Sequence, residues 1–319
     1  MSEKPEAGSQ EGLTVRYARY RKMLCRDTPE LDGVLRRGAM ERTSFASLAR
    51  HFAVILLDAF GVLNVGREAI PGSVQAVAAL RAQKRSFRVV SNNASQSPQG
   101  ILRRLGEMGF VLEEGELLSS GMVVGDYVAR SRYRDRPYFL VGSRESAECY
   151  APRPESLMVN ADSSPWRLEE AEYVLMCSNR DYYGGEQERS LTRLLQQKPL
   201  PVLLANPDLV APKGPGSLEV VAGFTAMELA ERFHTPLEGI GKPFPPIFQQ
   251  ARQGFPGVAA ERVLMVGDTL DTDILGAKAM GFASCLTLSG ACVGWEGNLE
   301  ALCDARGIRP DFVVSSLGS

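Results

Sequence analysis

The chain has 319 residues and a formal charge of −2, with 44% hydrophobic and 23% charged residues, enough for two ordinary domains or one domain with a large insert. This is a globular composition, and its near-neutral charge argues against nucleic acid or an acidic membrane as the main partner. Nothing approaches the roughly eighteen apolar residues of a membrane span and no apolar signal region opens the chain, so a cytoplasmic protein is expected.

Residues 1–12 are polar and read as a disordered tail. Over 14–26, Val15, Tyr17, Tyr20, Met23 and Leu24 alternate with arginines at helical spacing, which predicts an amphipathic helix packed on the body of the protein. Together 1–43 form an N-terminal extension. From Ser44 a short helix leads into the apolar run 53–57, which ends abruptly in Asp58 and reads as a buried parallel strand presenting a charge at its carboxyl end. Pro71-Gly72-Ser73 opens a helix with Ser73 as N-cap. A second strand, 87–90, ends in Ser91-Asn92-Asn93, completing a βαβ unit. Helices over 98–108 and up to about residue 130 flank a short strand at 117–118.

Between 136 and 224 the pattern changes to short strands at 138–141, 173–176 and 202–205, separated by helical pieces and by turns such as Asp162-Ser163-Ser164-Pro165. This predicts a smaller α/β domain inserted into a core formed by 44–135 and 225–319. The core resumes with a helix over 225–233 and a strand-like 237–240 before Gly241-Lys242-Pro243. A helix over 246–253 follows, and then the strand 262–267 ends in Asp268-Thr269-Leu270-Asp271-Thr272-Asp273. Apolar segments at 283–288 and 312–314 add further strands. The expected fold class is α/β, with a doubly wound parallel sheet and the inserted domain above it.

Four strand ends thus carry an aspartate, a serine, a lysine and an acidic loop. In open α/β sheets that edge is where ligands bind, and this set suits a divalent cation together with a phosphate. Taken singly, Ser-Asn-Asn is a turn signal and Gly-Lys-Pro an exposed loop. The six cysteines, Cys25, Cys149, Cys177, Cys285, Cys292 and Cys303, show no metal-finger spacing and read mostly as small buried residues. Lys213-Gly214-Pro215-Gly216-Ser217 lacks the Gly-Lys-Ser/Thr ending of a Walker motif and reads as a loop facing the core.

In this order the four segments resemble motifs I to IV of the haloacid dehalogenase superfamily, and the long insert between Ser91 and Lys242, containing Asn206-Pro207-Asp208, resembles its C2-capped phosphatases. The resemblance implies a Rossmann-like core under a C2 cap and a Mg²⁺-dependent hydrolase acting on a small phosphorylated metabolite. Asp58 would be the nucleophile, forming an aspartyl phosphate. Mg²⁺ would be held by Asp58, Asp268 and the backbone carbonyl of Phe60, with Asp273 orienting metal water or the lysine. Ser91, Asn92 through its N–H or amide, and Lys242 would hold the phosphoryl oxygens. Asp271 is expected to be a solvated loop acid. Capped members of the family also suggest a homodimer formed through the cap.

The chain departs from the family at Phe60, where phosphatases generally carry an aspartate that protonates the leaving oxygen and activates water. Losing such a group costs about 10²- to 10⁴-fold. The leaving group then needs no proton, or the cap supplies the acid, with Asp208 as the candidate, or the chain is a weakened family member that binds a phosphometabolite or a protein. An aromatic at this position also resembles the metal-independent dehalogenases, whose aspartate attacks carbon; the acidic cluster 268–273 opposes that reading.

Overall fold

The four consecutive buried residues Val54, Ile55, Leu56 and Leu57 need cover on both faces and neighbours on both sides, which only the interior of a parallel sheet supplies. The computed structural model describes residues 10–162, 164–214, 217–291 and 297–319. Its strands in chain order are β1 (Glu41–Arg42), β2 (Val54–Leu57), β3 (Asn64–Val65), β4 (Glu68–Ala69), β5 (Ser86–Ser91), β6 (Leu117–Ser119), β7 (Tyr138–Val141) and β8 (Tyr173–Met176). They continue with β9 (Val202–Leu204), β10 (Val210–Gly214), β11 (Ser217–Val220), β12 (Leu237–Gly239), β13 (Val263–Gly267), β14 (Ala283–Thr287) and β15 (Phe312–Val314).

Seven strands form a parallel sheet in the order β1-β15-β14-β13-β2-β5-β6. From β2 the chain winds outward through β5 and β6, then returns to β13 on the other side and winds outward again. The order therefore reverses beside β2, and the crevice at the carboxyl ends of β13, β2 and β5 is the switch point. The doubly wound α/β core is as expected. Helices Phe45–Leu48, Ser73–Ala82, Pro98–Glu107 and Pro245–Gln253 follow the sequence pattern closely. Ser44 caps the first by accepting from the Ser47 N–H at 3.2 Å.

A second parallel sheet, β12-β9-β8-β7, belongs to the inserted domain. Its fourth strand corrects the expected boundaries. β12 was assigned to the core, but it pairs with β9 in register Leu237↔Val202 to Gly239↔Leu204, so the insert runs beyond 224 to Gly239. The correction has a local cause: the helix Ala222–Phe233 packs against β8 and β9 and returns the chain to that sheet before the core. At the other end, β1 pairs with β15, so the core sheet already begins inside the expected 1–43 extension.

Two local expectations also change. Ser73 is the first residue of its helix, with Gly72 as N-cap at φ +81°. Its hydroxyl donates instead to the carbonyls of Ile70 at 2.6 Å and Leu63 at 2.9 Å. Of the expected tail, 1–9 lie outside the described residues, and Gln10 already opens the helix Gln10–Asp27. Ser163, Pro215, Gly216 and Cys292 lie outside the described residues as well. Cys177, Cys285 and Cys303 are buried, whereas Cys149 is exposed.

The N-terminal helix packs between insert and core. Its apolar face, Leu13, Tyr17, Tyr20 and Leu24, joins a cluster that includes Leu209 and Phe224 from the insert and Phe244 and Leu270 from the core. The Tyr20 ring lies edge-on to Phe244, with centroids 5.3 Å apart, and its hydroxyl donates to the Pro207 carbonyl at 2.7 Å. No helix among the described residues is long and apolar enough to cross a membrane. Because Tyr20 is fully buried, Tyr20→Ala should cost about 3–5 kcal/mol in chemical denaturation. Tyr20→Phe, which loses only the hydrogen bond, should cost about 1 kcal/mol.

Candidate active site

Parallel strands end together, so side chains just beyond β2, β5 and β13 meet at one edge of the sheet. Asp58 follows β2, Ser91 closes β5 and Asp268 follows β13. Lys242 arrives from the opposite direction, on the segment that returns from β12 to the core. It is 2% exposed and donates to Asp58 Oδ1 at 2.6 Å and Asp273 Oδ1 at 2.7 Å. Asp273 is fully buried and accepts on its other oxygen from the Thr269 N–H at 3.2 Å.

A lysine so deeply buried needs its backbone fixed too, and Asn92 does this. The Asn92 Oδ1 accepts from the Lys242 N–H at 2.7 Å, and its Nδ2 donates to the Lys242 carbonyl at 2.9 Å and to Asp208 Oδ1 at 2.8 Å. The amide offered as a phosphoryl ligand is therefore spent on Lys242 and Asp208, which leaves the Asn92 N–H for that role. Ser91 Oγ accepts from the Asn93 N–H at 3.3 Å, so its own hydrogen can point elsewhere.

Asp58, Asp268 and Asp273 each place a carboxylate oxygen within 4.8 Å of the others, and all three are buried. Asp268 Oδ2 accepts from the Ala291 N–H at 2.7 Å and Oδ1 from the Thr269 hydroxyl at 3.2 Å. Burial, then the Asp273 charge, pushes the Asp268 carboxyl up to about 7. Burial also raises Asp58 well above the usual carboxylate range, with Lys242 opposing and Asp273 and Asp268 adding to the rise. For Lys242, burial pulls downward but the Asp273 and Asp58 charges outweigh it and hold the ammonium above its ordinary value. Two of the three carboxylates share Lys242, and this all-oxygen donor set fits a hard divalent cation.

The backbone leaves room for Asp268 only by omitting side chains. Gly61 has φ +83°, and a Cβ there would lie 1.9 Å from Asp268 Oδ2; one at Gly290 would lie 2.1 Å from the same atom.

Asp58, Ser91, Asn92, Asp208 and Asp268 face a common cavity of about 590 Å³, with Phe60 in its wall. All the expected site residues are thus brought together, with Lys242 and Asp273 directly behind Asp58. Burial raises the Asp208 carboxyl to about 6, against the lowering effect of Lys242 and the Asn92 hydrogen bond. Asp271 corrects its expectation as a solvated acid: it is buried and pairs with Arg306 Nη1 at 2.6 Å. Of the loop expected at 213–217, Lys213 and Gly214 belong to β10 and Ser217 opens β11, its antiparallel partner; Val210 and Leu218 of this hairpin line the cavity.

Several cavity residues were not anticipated: Tyr17 and Thr14 from the N-terminal helix, Arg306 from the helix Leu299–Arg306, Arg104 and Arg180. Arg180 carried a signal, because Ser178-Asn179-Arg180 comes just after β8, much as Ser91-Asn92 comes at the end of β5. Arg104 stands over the Phe60 ring, 4.9 Å from its centroid.

Two family models match the chain, one described as haloacid dehalogenase-like hydrolase over residues 55–151 and one as HAD-hydrolase-like over 239–319. Mouse glycerol-3-phosphate phosphatase is 30% identical over 286 residues, covering 82% of this chain and 88% of its own. A solved possible sugar phosphatase of the same superfamily from Cytophaga hutchinsonii superposes with a TM-score of 0.75 at 25% identity, covering 88% of this chain and 99% of its own. The p-nitrophenyl phosphatase of Archaeoglobus fulgidus gives 0.68 at 26% identity, covering 84% and 97%. The chain therefore belongs to the haloacid dehalogenase-like hydrolases, in the branch with a sheet-containing C2-type cap. The named relatives matched here are phosphatases.

Removing the buried cation tests the arrangement directly. Lys242→Met should leave Asp58 and Asp273 facing each other unneutralised and lower unfolding free energy by about 3–5 kcal/mol, measured by urea denaturation.

Proposed function

We propose that this phosphoric monoester hydrolase is a Mg²⁺-dependent phosphatase of small phosphorylated metabolites, working through an aspartyl phosphate on Asp58. The observation that carries this reading is the position of Asp58, which faces the cavity beside Asp268 while Lys242 ties it to Asp273. Asp58, Asp268 and the Phe60 carbonyl would hold the metal, which when bound lessens repulsion between anionic nucleophile and anionic substrate. Asp273 would orient the ammonium of Lys242 and the metal's water.

In the first step an Asp58 carboxylate oxygen bonds to phosphorus as the bond to the alkoxide or aryloxide leaving group breaks. Lys242, the Ser91 hydroxyl and the Asn92 N–H would neutralise the three peripheral oxygens. In the second step water attacks the phosphorus, inorganic phosphate departs and Asp58 is regenerated. An Asp58→Asn variant should lose at least about 10⁴-fold in kcat. Chelation of the wild type should abolish turnover, and Mg²⁺ should raise its melting temperature. Binding of phosphometabolites with no turnover by the wild type would instead favour a weakened, binding-only family member, the reading that Phe60 supports.

The proton that Phe60 cannot give is assigned in this reading to Asp208. It lies in the cavity wall, is joined through Asn92 to the lysine clamp, and is half protonated near pH 6, which suits an acid at near-neutral pH. A donor must carry its proton, so turnover of an alkyl phosphate should fall as pH rises through about 6. Asp208→Asn should remove that limb and cost about 10²-fold or more on an alkyl phosphate, while an aryl phosphate, whose leaving group departs unprotonated, should lose far less. Equal losses on both esters would rule Asp208 out as the acid. A homodimer through the cap belongs to the same proposal, and sedimentation of the full chain as a monomer would remove it.

A further inference from the structure

We infer that the helix Gln10–Asp27 is the substrate-selecting wall of the cavity, and that the cavity takes phosphate monoesters whose organic part is bulky and largely apolar. The inference rests on the phosphatase reading and adds the class of substrate.

The cavity is mixed in chemistry. Beside Asp58, Ser91, Asn92 and Asp268 its lining includes the apolar Leu13, Val210, Leu218 and Leu302, with Thr14 and Tyr17 of the helix. Two of its charged residues are matched to each other, since Arg306 holds Asp271 at 2.6 Å and lies over the Tyr17 ring 5.8 Å from its centroid. The 590 Å³ volume falls in the range of sites for drug-sized ligands, about 300–1,000 Å³. A phosphoryl group carrying a glycerol-sized alcohol would leave these apolar side chains uncovered, whereas an aromatic or branched group would cover them.

The wall is fixed on both sides. Tyr20 donates to the Pro207 carbonyl at 2.7 Å and Tyr17 accepts from the Leu209 N–H at 3.3 Å, so two tyrosines hold the residues either side of Asp208. Arg16 pairs with Glu231 at 3.2 Å and lies over the Phe224 ring, while Arg21 donates to the Arg306 carbonyl at 2.9 Å. One helix thus joins cap to core while lining the space beside the reacting group. It lies outside both segments matched by the family models, as does much of the insert.

The test compares naphthylmethyl phosphonate with methyl phosphonate, neither hydrolysable, by calorimetry on the full chain with Mg²⁺. The larger ligand should bind at least about tenfold tighter from apolar burial. Thr14→Trp, which fills the wall, should lower that affinity ratio at least about fivefold. Leu218→Gln, at a position 46% exposed and hence safe for folding, should lower the ratio in the same direction. Equal affinity for the two ligands, or a ratio unmoved in both folded variants, would overturn the inference. Turnover of naphthyl and glycerol phosphates, measured in parallel, separates it from the phosphatase reading. Selective binding without turnover would remove that reading and keep the wall, whereas turnover without selectivity would do the reverse.

Discussion

The site depends on a lysine buried between two carboxylates. Lys242 is 2% exposed, and the desolvation of its ammonium is offset by Asp58 at 2.6 Å and Asp273 at 2.7 Å. The contact joins three parts of the chain that are far apart in sequence: the end of β2, the turn after β13 and the segment leaving the insert. Asn92 at the end of β5 adds a fourth by bonding both backbone groups of Lys242. Moving any one of these strand ends would leave a charge buried without its partner. The same contact that assembles the site therefore also fixes the register between insert and core.

The insert is held from the other side by the motif around Ser143. Its hydroxyl donates to the Ser95 carbonyl at 3.1 Å, Ser146 donates to Ala94 at 2.8 Å, and Glu145 accepts from the Ser97 N–H at 2.7 Å. These bonds tie the first helix of the insert, Arg144–Tyr150, to the loop just after Ser91-Asn92. With the N-terminal helix gripping Pro207 and Leu209, the insert is attached to the core on two flanks of the cavity.

Much of this was legible in the sequence because a charge at the end of an apolar run is a costly feature with few explanations. Asp58, Ser91 and Asp268 could be placed at neighbouring strand ends from their own local patterns. What was missed depends on pairing between distant segments. A short strand such as Leu237–Gly239 has no pattern to say which of two parallel sheets it joins, and only the path of the preceding helix decides. Asp271 looked like a solvated loop acid because its partner, Arg306, lies on the last helix. Tyr17 and Tyr20 were read correctly as an apolar helix face, but their hydroxyls reach Leu209 and Pro207, contacts that no helical period announces. The Asn92 amide was assigned to substrate because the demand of a buried lysine for a clamped backbone is visible only once Lys242 is seen to be buried.

Phe60 belongs with Arg104. The guanidinium over the ring is partly buried, its Nε has no hydrogen-bond partner, and burial followed by the nearby Arg67 charge lowers it from the ordinary arginine value. A carboxyl at position 60 would sit beside that cation and be held ionised, which makes it a poor proton donor. An aromatic face instead accepts the cation without titrating. The two residues are thus mutually consistent, and restoring an aspartate at 60 alone would create an ion pair before it created an acid. Asp208 meets the opposite condition: burial raises its carboxyl to about 6 in the same cavity, so proton transfer on the proposed mechanism moves from the loop after the nucleophile to the wall that the N-terminal helix holds in place.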